Sequence, residues 1–296
     1  MAIIVDSASR IIIQGITGTT GKTFAERMSK YYDTLVGGVT PGKGGKTVCG
    51  KPVFDFVADA VKETGANTSL VVVPSGFVKD AAMEAIDAGI KTMWIYTDKV
   101  PVHDAMEIIQ YAILNGVRLI GPNSAGVVSP GKASAAEHNE EQLPLNAGHI
   151  GLLSKSGSLS YEVISLLHEA GFGFSTVICI GGDPVLGTSC RDVLDMFEKD
   201  SETEAVVMIG EIGGTDEIDC EDVIQSMTKP VVAYISGHIA PEKKKMGHAG
   251  AIIGGAGESA KGKSSALRNM GVAVSESIEE IPTILKELQK NKGGQQ

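Results

Sequence analysis

The chain has 296 residues, of which 43% are hydrophobic, and this is enough to bury the cores of two domains of ordinary size. Its formal net charge of −10 excludes a general attraction to nucleic-acid backbones or anionic lipid surfaces. The four cysteines are scattered without a C-x-x-C pair, which argues against a zinc site or a disulfide framework.

Short apolar runs recur through the first half, each closed by a turn residue and followed by a stretch of helical period. This alternation is typical of βαβ units and predicts a parallel, Rossmann-like sheet. The predicted strands cover residues 11–13, 35–36, 70–73, 93–96 and 118–120. The predicted helices cover residues 54–62, 78–88 and 105–114.

A glycine-rich loop, residues 15–21, follows the first strand and opens a helix. Backbone N–H groups and the helix dipole meet there, so the loop predicts a phosphate-bearing ligand. The spacing is G-x-x-G-x-x-G, and the second strand ends without a carboxylate, so NAD is disfavoured. A Walker A motif fails by one residue, because Ile16 stands where a glycine is required. Close packing of helix on strand is the alternative reason for these glycines.

The loop after the second strand, residues 37–46, holds five glycines and two lysines. Its backbone could approach a ligand closely, and its ammonium groups could pair with phosphate, as a 3′-phosphoadenosine group would require. A solvated flexible loop is the alternative.

A polar stretch, residues 132–146, shows little hydrophobic periodicity and is predicted to connect two domains. We therefore expect a first domain over residues 1–130, a connecting segment over 131–147 and a second domain over 148–296. The second half repeats the strand–helix rhythm, which predicts a flavodoxin-like, doubly wound sheet. Its predicted strands and helices cover residues 150–153, 176–180, 205–209, 231–235 and 272–274, and 159–169 and 189–197. Residues 290–296 are expected to fray.

A histidine among glycines is the most informative residue of this half. Gly247 and Gly250 flank His248 and permit a loop that presents the imidazole to a reactive phosphate, as nucleophile or carrier. Glu211, at the end of a neighbouring strand, could orient the ring by accepting its other N–H. No H-E-x-x-H or His-x-His spacing suggests a metal. Considered alone, His248 is more typical of an ordinary surface histidine, and only its context favours the functional role.

The segment 154–162 is a second strand-to-helix turn, rich in hydroxyl groups. Free N–H groups at the start of its helix would suit a carboxylate or a phosphoryl group. It is not a hydrolase nucleophile elbow, because Ser154 stands where G-x-S-x-G requires glycine. A serine-capped helix without a ligand is the alternative.

Seven motifs, in order and over nearly the whole chain, resemble the alpha subunit of succinyl-CoA synthetase. They are Gly-Ile-Thr-Gly-x-x-Gly, Gly-Gly-Val-Thr-Pro-Gly-Lys-Gly-Gly, Gly-Pro-Asn, Ser-Lys-Ser-Gly-Ser-Leu-Ser-Tyr-Glu, Ile-Gly-Gly-Asp-Pro, Met-Ile-Gly-Glu-Ile-Gly-Gly and Met-Gly-His-Ala-Gly-Ala-Ile-Ile. The resemblance implies that His248 is phosphorylated and that Glu211 steadies it. It implies that CoA is bound by Thr17, Gly18, Thr19, Thr20, Lys43, Tyr96, Thr97 and Asp98. It also implies that phosphate or substrate is bound by Asn123, Ser156, Gly157, Ser158 and Tyr161.

The resemblance implies a three-step reaction. ATP or GTP phosphorylates His248, a carboxylic acid takes the phosphoryl group to become an acyl phosphate, and the CoA thiol attacks the acyl carbon. It further implies a nucleotide-binding beta subunit as partner, in a heterodimer or heterotetramer, with Mg²⁺ accompanying the nucleotide there. We expect no nucleic-acid or membrane partner.

Several positions depart from the family pattern around the CoA or acyl pocket. Lys22 looks inserted, residues 96–99 read Tyr-Thr-Asp-Lys, and Ser124 and Ala125 replace a common Cys-Pro. The acid therefore stays open among succinate, malate, citrate and a sulfonated carboxylic acid. Two other classes compete: a CoA-binding regulatory module without turnover, and a P-loop NTPase supported only by residues 21–23.

The ends of the chain bear on its location. The N-terminal sequence lacks a basic region followed by an apolar core and a cleavage site, and no window approaches about 18 uninterrupted apolar residues. We expect a cytoplasmic protein, or one of an organelle matrix if a presequence has been removed.

Overall fold

The structure, a computed structural model, describes residues 3–138, 141, 143–241 and 243–293. The chain divides into two compact units, named here the N-terminal unit (Ile4–Asn139 and Val185–Thr188) and the C-terminal unit (Met1–Ile3, Glu140–Pro184 and Ser189–Gln296). Residues 139, 140 and 142 of the predicted connecting segment lie outside the described residues, as do residues 294–296 of the predicted frayed tail.

The N-terminal unit is a parallel sheet with helices. The strands of this sheet are β1 (Ile11–Gln14), β2 (Leu35–Val39), β3 (Thr47–Val48), β4 (Lys51–Phe54), β5 (Thr68–Val71), β6 (Thr92–Ile95) and β7 (Arg118–Ile120), and all are parallel except β3, which pairs antiparallel with β4. The unit also contains β8 (Gly126–Ser129) and β9 (Ala133–Ala136), which pair antiparallel with each other. Its helices are α1 (Thr19–Tyr31), α2 (Val57–Thr64), α3 (Val78–Asp87) and α4 (Val102–Leu114). The sheet order is β3-β4-β2-β1-β5-β6-β7. Its parallel strands thus follow the 3-2-1-4-5-6 order of the Rossmann fold, which confirms the prediction.

The C-terminal unit is a second parallel sheet. Its strands are β10 (Ala147–Ser154), β11 (Phe174–Cys179), β12 (Ala205–Glu211), β13 (Val231–Ser236) and β14 (Ala273–Val274). Its helices are α5 (Gly157–Glu169), α6 (Cys190–Lys199), α7 (Glu221–Ser226), α8 (Ala260–Asn269) and α9 (Ile281–Gly293). These strands lie in the order β14-β13-β12-β10-β11. Read from β11, this is the flavodoxin-like order 2-1-3-4-5, as predicted.

Apolar burial explains why the short runs form central strands. Ile11, Ile12 and Ile13 of β1 are completely buried, and all seven residues of β12 are buried. Parallel strands covered on both faces need continuous apolar runs rather than alternation. Local signals determine where helices begin. At the start of α6, for example, Ser189 and Asp192 form a capping box in which the side chain of each accepts a hydrogen bond from the backbone of the other.

The hairpin β3–β4 was not predicted. The predicted helix 54–62 includes Phe54, which instead ends β4, and α2 begins at Val57. The turn between β3 and β4 consists of Cys49 and Gly50, with φ angles of 50° and 72°. Two positive φ angles are typical of a type I′ turn, but Cys-Gly lacks the Asn-Gly or Asp-Gly signature by which such a turn is recognised.

The predicted connecting segment contains strand β9, which pairs antiparallel with β8 through Gly126↔Ala136 to Ser129↔Ala133. Alanine and serine dominate β9, so the segment lacks the hydrophobic signal on which the prediction relied. Every helix within the described ranges is too short or too polar to span a bilayer. Among those same residues, no group of three or more His, Cys, Asp or Glu side chains could hold a metal ion.

Candidate functional site

His248 and Glu211 are brought together at the carboxyl edge of the C-terminal sheet. His248 Nδ1 lies 2.7 Å from Glu211 Oε2, and Glu211 is the last residue of β12. The His248 side chain is 29% exposed, and that of Glu211 is 11% exposed. The ring is therefore anchored by a nearly buried carboxylate and is still open to a reactant.

A close approach to Gly182 fixes the other side of the ring. A Cβ added to Gly182 would lie 2.3 Å from His248 Cγ and 2.4 Å from its Nδ1, so the ring can occupy this position only if residue 182 is glycine. The Gly182 carbonyl also accepts a hydrogen bond from Gly250 N–H at 3.2 Å, next to the histidine. Gly182 follows β11, and Glu211 ends β12. Because β10 lies between those strands, the imidazole lies over the carboxyl end of β10.

Helix α5 begins at that point. Ser156 is its N-cap residue, and its Oγ accepts from Leu159 N–H at 3.3 Å. The Oγ atoms of Ser156 and Ser158 lie 3.3 Å apart, and the first turn contains no acidic residue. Gly157 is the first helical residue, and Tyr161 lies half-buried further along the helix. A helix N-terminus lined by hydroxyl groups is suited to a phosphoryl or carboxylate group.

The surroundings of His248 raise its pKa. The hydrogen bond to Glu211 is the main cause, and Asp183 acts in the same direction, while partial burial and Lys155 act to lower the pKa. In the neutral imidazole, Nδ1–H donates to Glu211, and Nε2 then carries the free lone pair. With Glu211 holding the ring in this tautomer, Nε2 is chemically able to act as a nucleophile.

Three buried charged residues near Glu211 were missed by the sequence analysis. Glu217 Oε1 accepts from Glu211 N–H at 3.0 Å, and Lys263 Nζ donates to the Glu211 carbonyl at 2.8 Å. Lys155 Nζ lies 3.4 Å from Glu217 Oε2. Burial acts to raise the pKa of Glu217, but Lys155 and Lys263 hold that pKa below its usual range. Only Lys155 lies within a motif, so the other two residues gave no local signal.

The N-terminal unit contains a cavity of about 810 Å³ at the carboxyl ends of β1 and β5. The chain reverses its strand order between these two strands, which is where ligands bind in open α/β sheets. Seven of the eight residues predicted to bind CoA line this cavity: Thr17, Gly18, Thr19, Thr20, Tyr96, Thr97 and Asp98. Lys43, the eighth, has an exposed side chain two residues beyond Pro41, which does line it.

The start of α1 points into this cavity with its N-terminal charge uncompensated. Gly18 is the N-cap residue and provides no side-chain hydrogen bond, and the first turn has no acidic residue. A Cβ on Gly21 would lie 2.3 Å from the Gly15 carbonyl oxygen, so glycine is required for the loop to pack on the helix. These glycines serve packing, which was the alternative explanation, and the same packing brings the start of α1 to the cavity, where a helix N-terminus favours an anion.

The opposite wall comes from the end of β6. Thr97 Oγ1 donates to the Val73 carbonyl at 2.7 Å, and Asn123 N–H donates to the Thr97 carbonyl at 3.1 Å. Burial is the main cause of a raised pKa of Tyr96. Asn123 therefore lies in the N-terminal unit beside Thr97, whereas the other predicted phosphate ligands lie in the C-terminal unit. Sequence reasoning missed Asp80 and Glu84, which also line the cavity.

Two family models match the chain. The model described as a CoA binding domain matches residues 6–99, and the model described as CoA-ligase matches residues 153–273. The first range contains the loop and strand ends of the N-terminal cavity. The second contains α5, Gly182, Glu211 and His248.

Whole-chain relatives agree with these matches. The alpha 2 subunit of the ADP-forming succinate–CoA ligase of Archaeoglobus fulgidus is 45% identical over 291 residues, which is 97% of this chain and 100% of that one. The malate–CoA ligase alpha subunit of Methylorubrum extorquens is 45% identical over 285 residues, 93% of this chain and 94% of that one. ATP citrate lyase from Methanothrix soehngenii shares the fold, with a TM-score of 0.90 at 20% identity; the match covers 98% of this chain and 52% of that one.

Proposed function

The chain belongs to the alpha-subunit family of succinate–CoA ligases and related acid–CoA ligases, and on that premise we propose that His248 carries a phosphoryl group while a small carboxylic acid is joined to CoA. One observation carries the proposal. The His248 ring is hydrogen-bonded to Glu211 at 2.7 Å and lies over the strand from which α5 begins.

The acid must be phosphorylated because a carboxylate is a poor acyl donor, and the phosphoryl group supplies the leaving group. Nε2 of His248 attacks the terminal phosphorus of the nucleoside triphosphate, and the bond from that phosphorus to the bridging oxygen breaks as the diphosphate leaves. A carboxylate oxygen of the acid then attacks the same phosphorus, the phosphorus–nitrogen bond breaks, and an acyl phosphate forms. The thiolate sulfur of CoA attacks the acyl carbon, and inorganic phosphate leaves.

The residues of the C-terminal unit support these steps in different ways. Glu211 holds the Nδ1–H tautomer and offsets the positive charge that develops on the ring during phosphorylation. The N–H groups at the start of α5, with the hydroxyls of Ser156 and Ser158, are placed to stabilise phosphoryl oxygens. Because only the neutral ring is nucleophilic, phosphorylation should become faster as the pH rises through the pKa of His248.

We place CoA in the N-terminal cavity. The start of α1, which has no side-chain cap, would bind a phosphate group of CoA. Tyr96, Thr97 and Asp98 would contact the ligand from the opposite wall of the cavity. Exposed Lys43 is then available to a phosphate at the cavity mouth. The family's use of CoA and the match of the CoA binding domain model over residues 6–99 support this assignment.

Thr20→Glu tests the CoA site by separating binding from stability. A carboxylate in the first turn of α1 should stabilise the helix by about 0.3–1 kcal/mol, because it complements the dipole. The same charge should repel a phosphate group and weaken CoA binding at least about tenfold, since tenfold requires only ~1.4 kcal/mol. Titration calorimetry with CoA and urea unfolding measure the two effects.

Thr20→Gln is the matched control, with the same side-chain size and no charge. Any effect of side-chain size or of the lost threonine hydroxyl is common to both variants, so the glutamate variant should bind CoA at least about tenfold more weakly than the glutamine variant. Equal CoA affinities of the glutamate and glutamine variants would contradict the placement of a phosphate at α1.

The nucleotide and the partner follow from the relatives' names. ATP or GTP is proposed to bind with Mg²⁺ on a beta subunit, since the relatives are named as alpha subunits and the Walker A motif of this chain is incomplete. Mg²⁺ would neutralise charge on the phosphates. We propose a heterodimer or heterotetramer of the two subunits. Cys49, Cys190 and Cys220 are thiols rather than disulfides, which supports a reducing compartment such as the cytoplasm.

Succinate is the acid we propose, because it is named in several relatives that are 43–47% identical. Malate is the alternative, since the malate–CoA ligase alpha subunit is 45% identical. Citrate and sulfonated carboxylic acids complete the panel to be tested. A regulatory module that only binds CoA would leave the His248–Glu211 contact without a role.

The chain combined with its cognate beta subunit, Mg²⁺ and terminally labelled ATP or GTP tests the function. The expected result is label on this chain that is acid-labile and base-stable, as phosphohistidine is, and that is discharged by the correct acid with CoA. Absence of label, or label that survives acid, would overturn the proposal. The acid panel, scored by thioester formation, then identifies the substrate.

A further inference from the structure

Two oppositely charged side chains are completely buried beside Glu211 and have no part in the steps above. Both Glu217 and Lys263 have side-chain exposures of 0%, and Lys263 Nζ lies 2.5 Å from Glu217 Oε2. Lys155, with a side-chain exposure of 10%, lies 3.4 Å from the same oxygen. Removing ions from water is costly, and a hydrophobic replacement is often no less stable than a buried ion pair. Stability alone therefore does not account for this pair.

The pair holds both backbone polar groups of Glu211. Glu217 Oε1 accepts from the Glu211 N–H at 3.0 Å, and Lys263 Nζ donates to the Glu211 carbonyl at 2.8 Å. The third contact of Lys263 is the Gly213 carbonyl at 2.7 Å, so each of its three N–H donors has an acceptor. A Cβ on Gly210 would lie 2.8 Å from Glu217 Oε1, so the residue before Glu211 must be small for the carboxylate to reach in.

We propose that Glu217 and Lys263 are positioning residues for phosphoryl transfer: they fix the backbone of Glu211 so that its carboxylate meets His248 Nδ1 at hydrogen-bond distance. The inference rests on the proposed role of His248. Glu217 and Lys263 do not touch the reactant; they hold Glu211, which in turn sets the tautomer of the imidazole. Partners of this kind act through the geometry of the group they hold rather than by touching the substrate.

The charged groups that face His248 decide in which direction its pKa should move in the test. Glu211 from β12 and Asp183 from the loop after β11 favour the protonated ring, and Lys155 from the loop after β10 opposes it. Loss of a nearby cation such as Lys263 would, by charge alone, favour the protonated ring and raise the pKa of His248. If the variant instead displaces Glu211, the hydrogen bond that raises the pKa of His248 is lost. A positioning role therefore predicts that this pKa falls.

Lys263→Met in the full chain is the decisive variant, because methionine keeps much of the side-chain length without a donor. The pKa of His248 is followed by NMR titration of its ring signal, which is identified by its disappearance in His248→Asn. We expect that pKa to fall and the rate of phosphorylation by the complex to drop by about 10–100-fold. Lys261→Met, an exposed lysine of the same helix, is the matched control and should change neither quantity.

A second variant is needed in case Lys263→Met does not fold, because that substitution leaves the buried Glu217 with Lys155 as its single lysine partner. The double variant Glu217→Gln with Lys263→Met removes both charges and should fold, with the same fall in pKa and rate. An unchanged or raised pKa of His248 in a folded variant would overturn the proposal. So would unfolding of both variants, which would assign the pair to stability. The titration needs neither nucleotide nor partner, so a wild-type chain that takes up no phosphate defeats the proposed function without deciding this inference.

Discussion

Replacing His248 with asparagine should reduce the acid-labile label on the chain to background. Asparagine keeps a polar side chain that can donate to Glu211, but its amide nitrogen has no nucleophilic lone pair comparable to that of imidazole Nε2. The contact at 2.7 Å with Glu211 would therefore survive in part while the chemistry is lost. The label is counted after incubation with the beta subunit, Mg²⁺ and labelled ATP or GTP, and CoA affinity, measured in parallel, should be unchanged.

Two controls sharpen this experiment. His238→Asn makes the same substitution at an exposed histidine of the C-terminal unit and should leave the label intact. Lys22→Ala should also leave it largely intact, because a P-loop nucleotide site is the only reading in which that lysine is essential. Label that persists in His248→Asn, or that disappears in Lys22→Ala, would contradict the phosphohistidine mechanism.

The parallel strands and the anion-binding turns of this protein can be predicted from local sequence. Buried strands such as β1 and β12 require continuous apolar runs, and the turns that follow them require glycine where the backbone packs closely, as Gly21 does on Gly15. Both requirements act on neighbouring residues, so they leave patterns that a reader of the sequence can recognise. The contact between His248 and Glu211 could be anticipated because parallel strand ends meet at one edge.

The positioning pair could not be predicted in this way. Lys263 lies on α8, whose sequence is polar, and nothing in its neighbours shows that it is buried. Its acceptors lie 46–52 residues earlier in the chain, so its burial depends on how α8 packs against the end of β12. Gly182 could be predicted only in part. The sequence shows that it lies in a glycine-rich turn, but it does not show which group occupies the space beside it. That group is the imidazole itself, which makes Gly182 a direct test of the site's geometry.

Gly182→Ala should therefore remove activity while leaving the fold almost unchanged. The added Cβ would lie 2.3 Å from His248 Cγ, and the clash is with a side-chain ring that can rotate away rather than with backbone. The φ angle of Gly182 is not positive, so alanine itself is not strained there. Displacing the ring breaks its alignment with Glu211 and with the start of α5, and a shift of about 1 Å in a reacting group can cost about 100-fold in rate.

Three measurements on Gly182→Ala distinguish displacement of the ring from general damage. The rate of labelling should fall by about 100-fold, the pKa of His248 should fall as the Glu211 hydrogen bond is lost, and the free energy of unfolding should change by less than about 1 kcal/mol. Gly257→Ala is the matched control, because a Cβ at that glycine of the same unit meets no atom within 4 Å. If Gly182→Ala labelled as fast as the Gly257→Ala control, the close packing of the ring on Gly182 would have no bearing on its reactivity, and the alignment of Nε2 would have to depend on Glu211 alone.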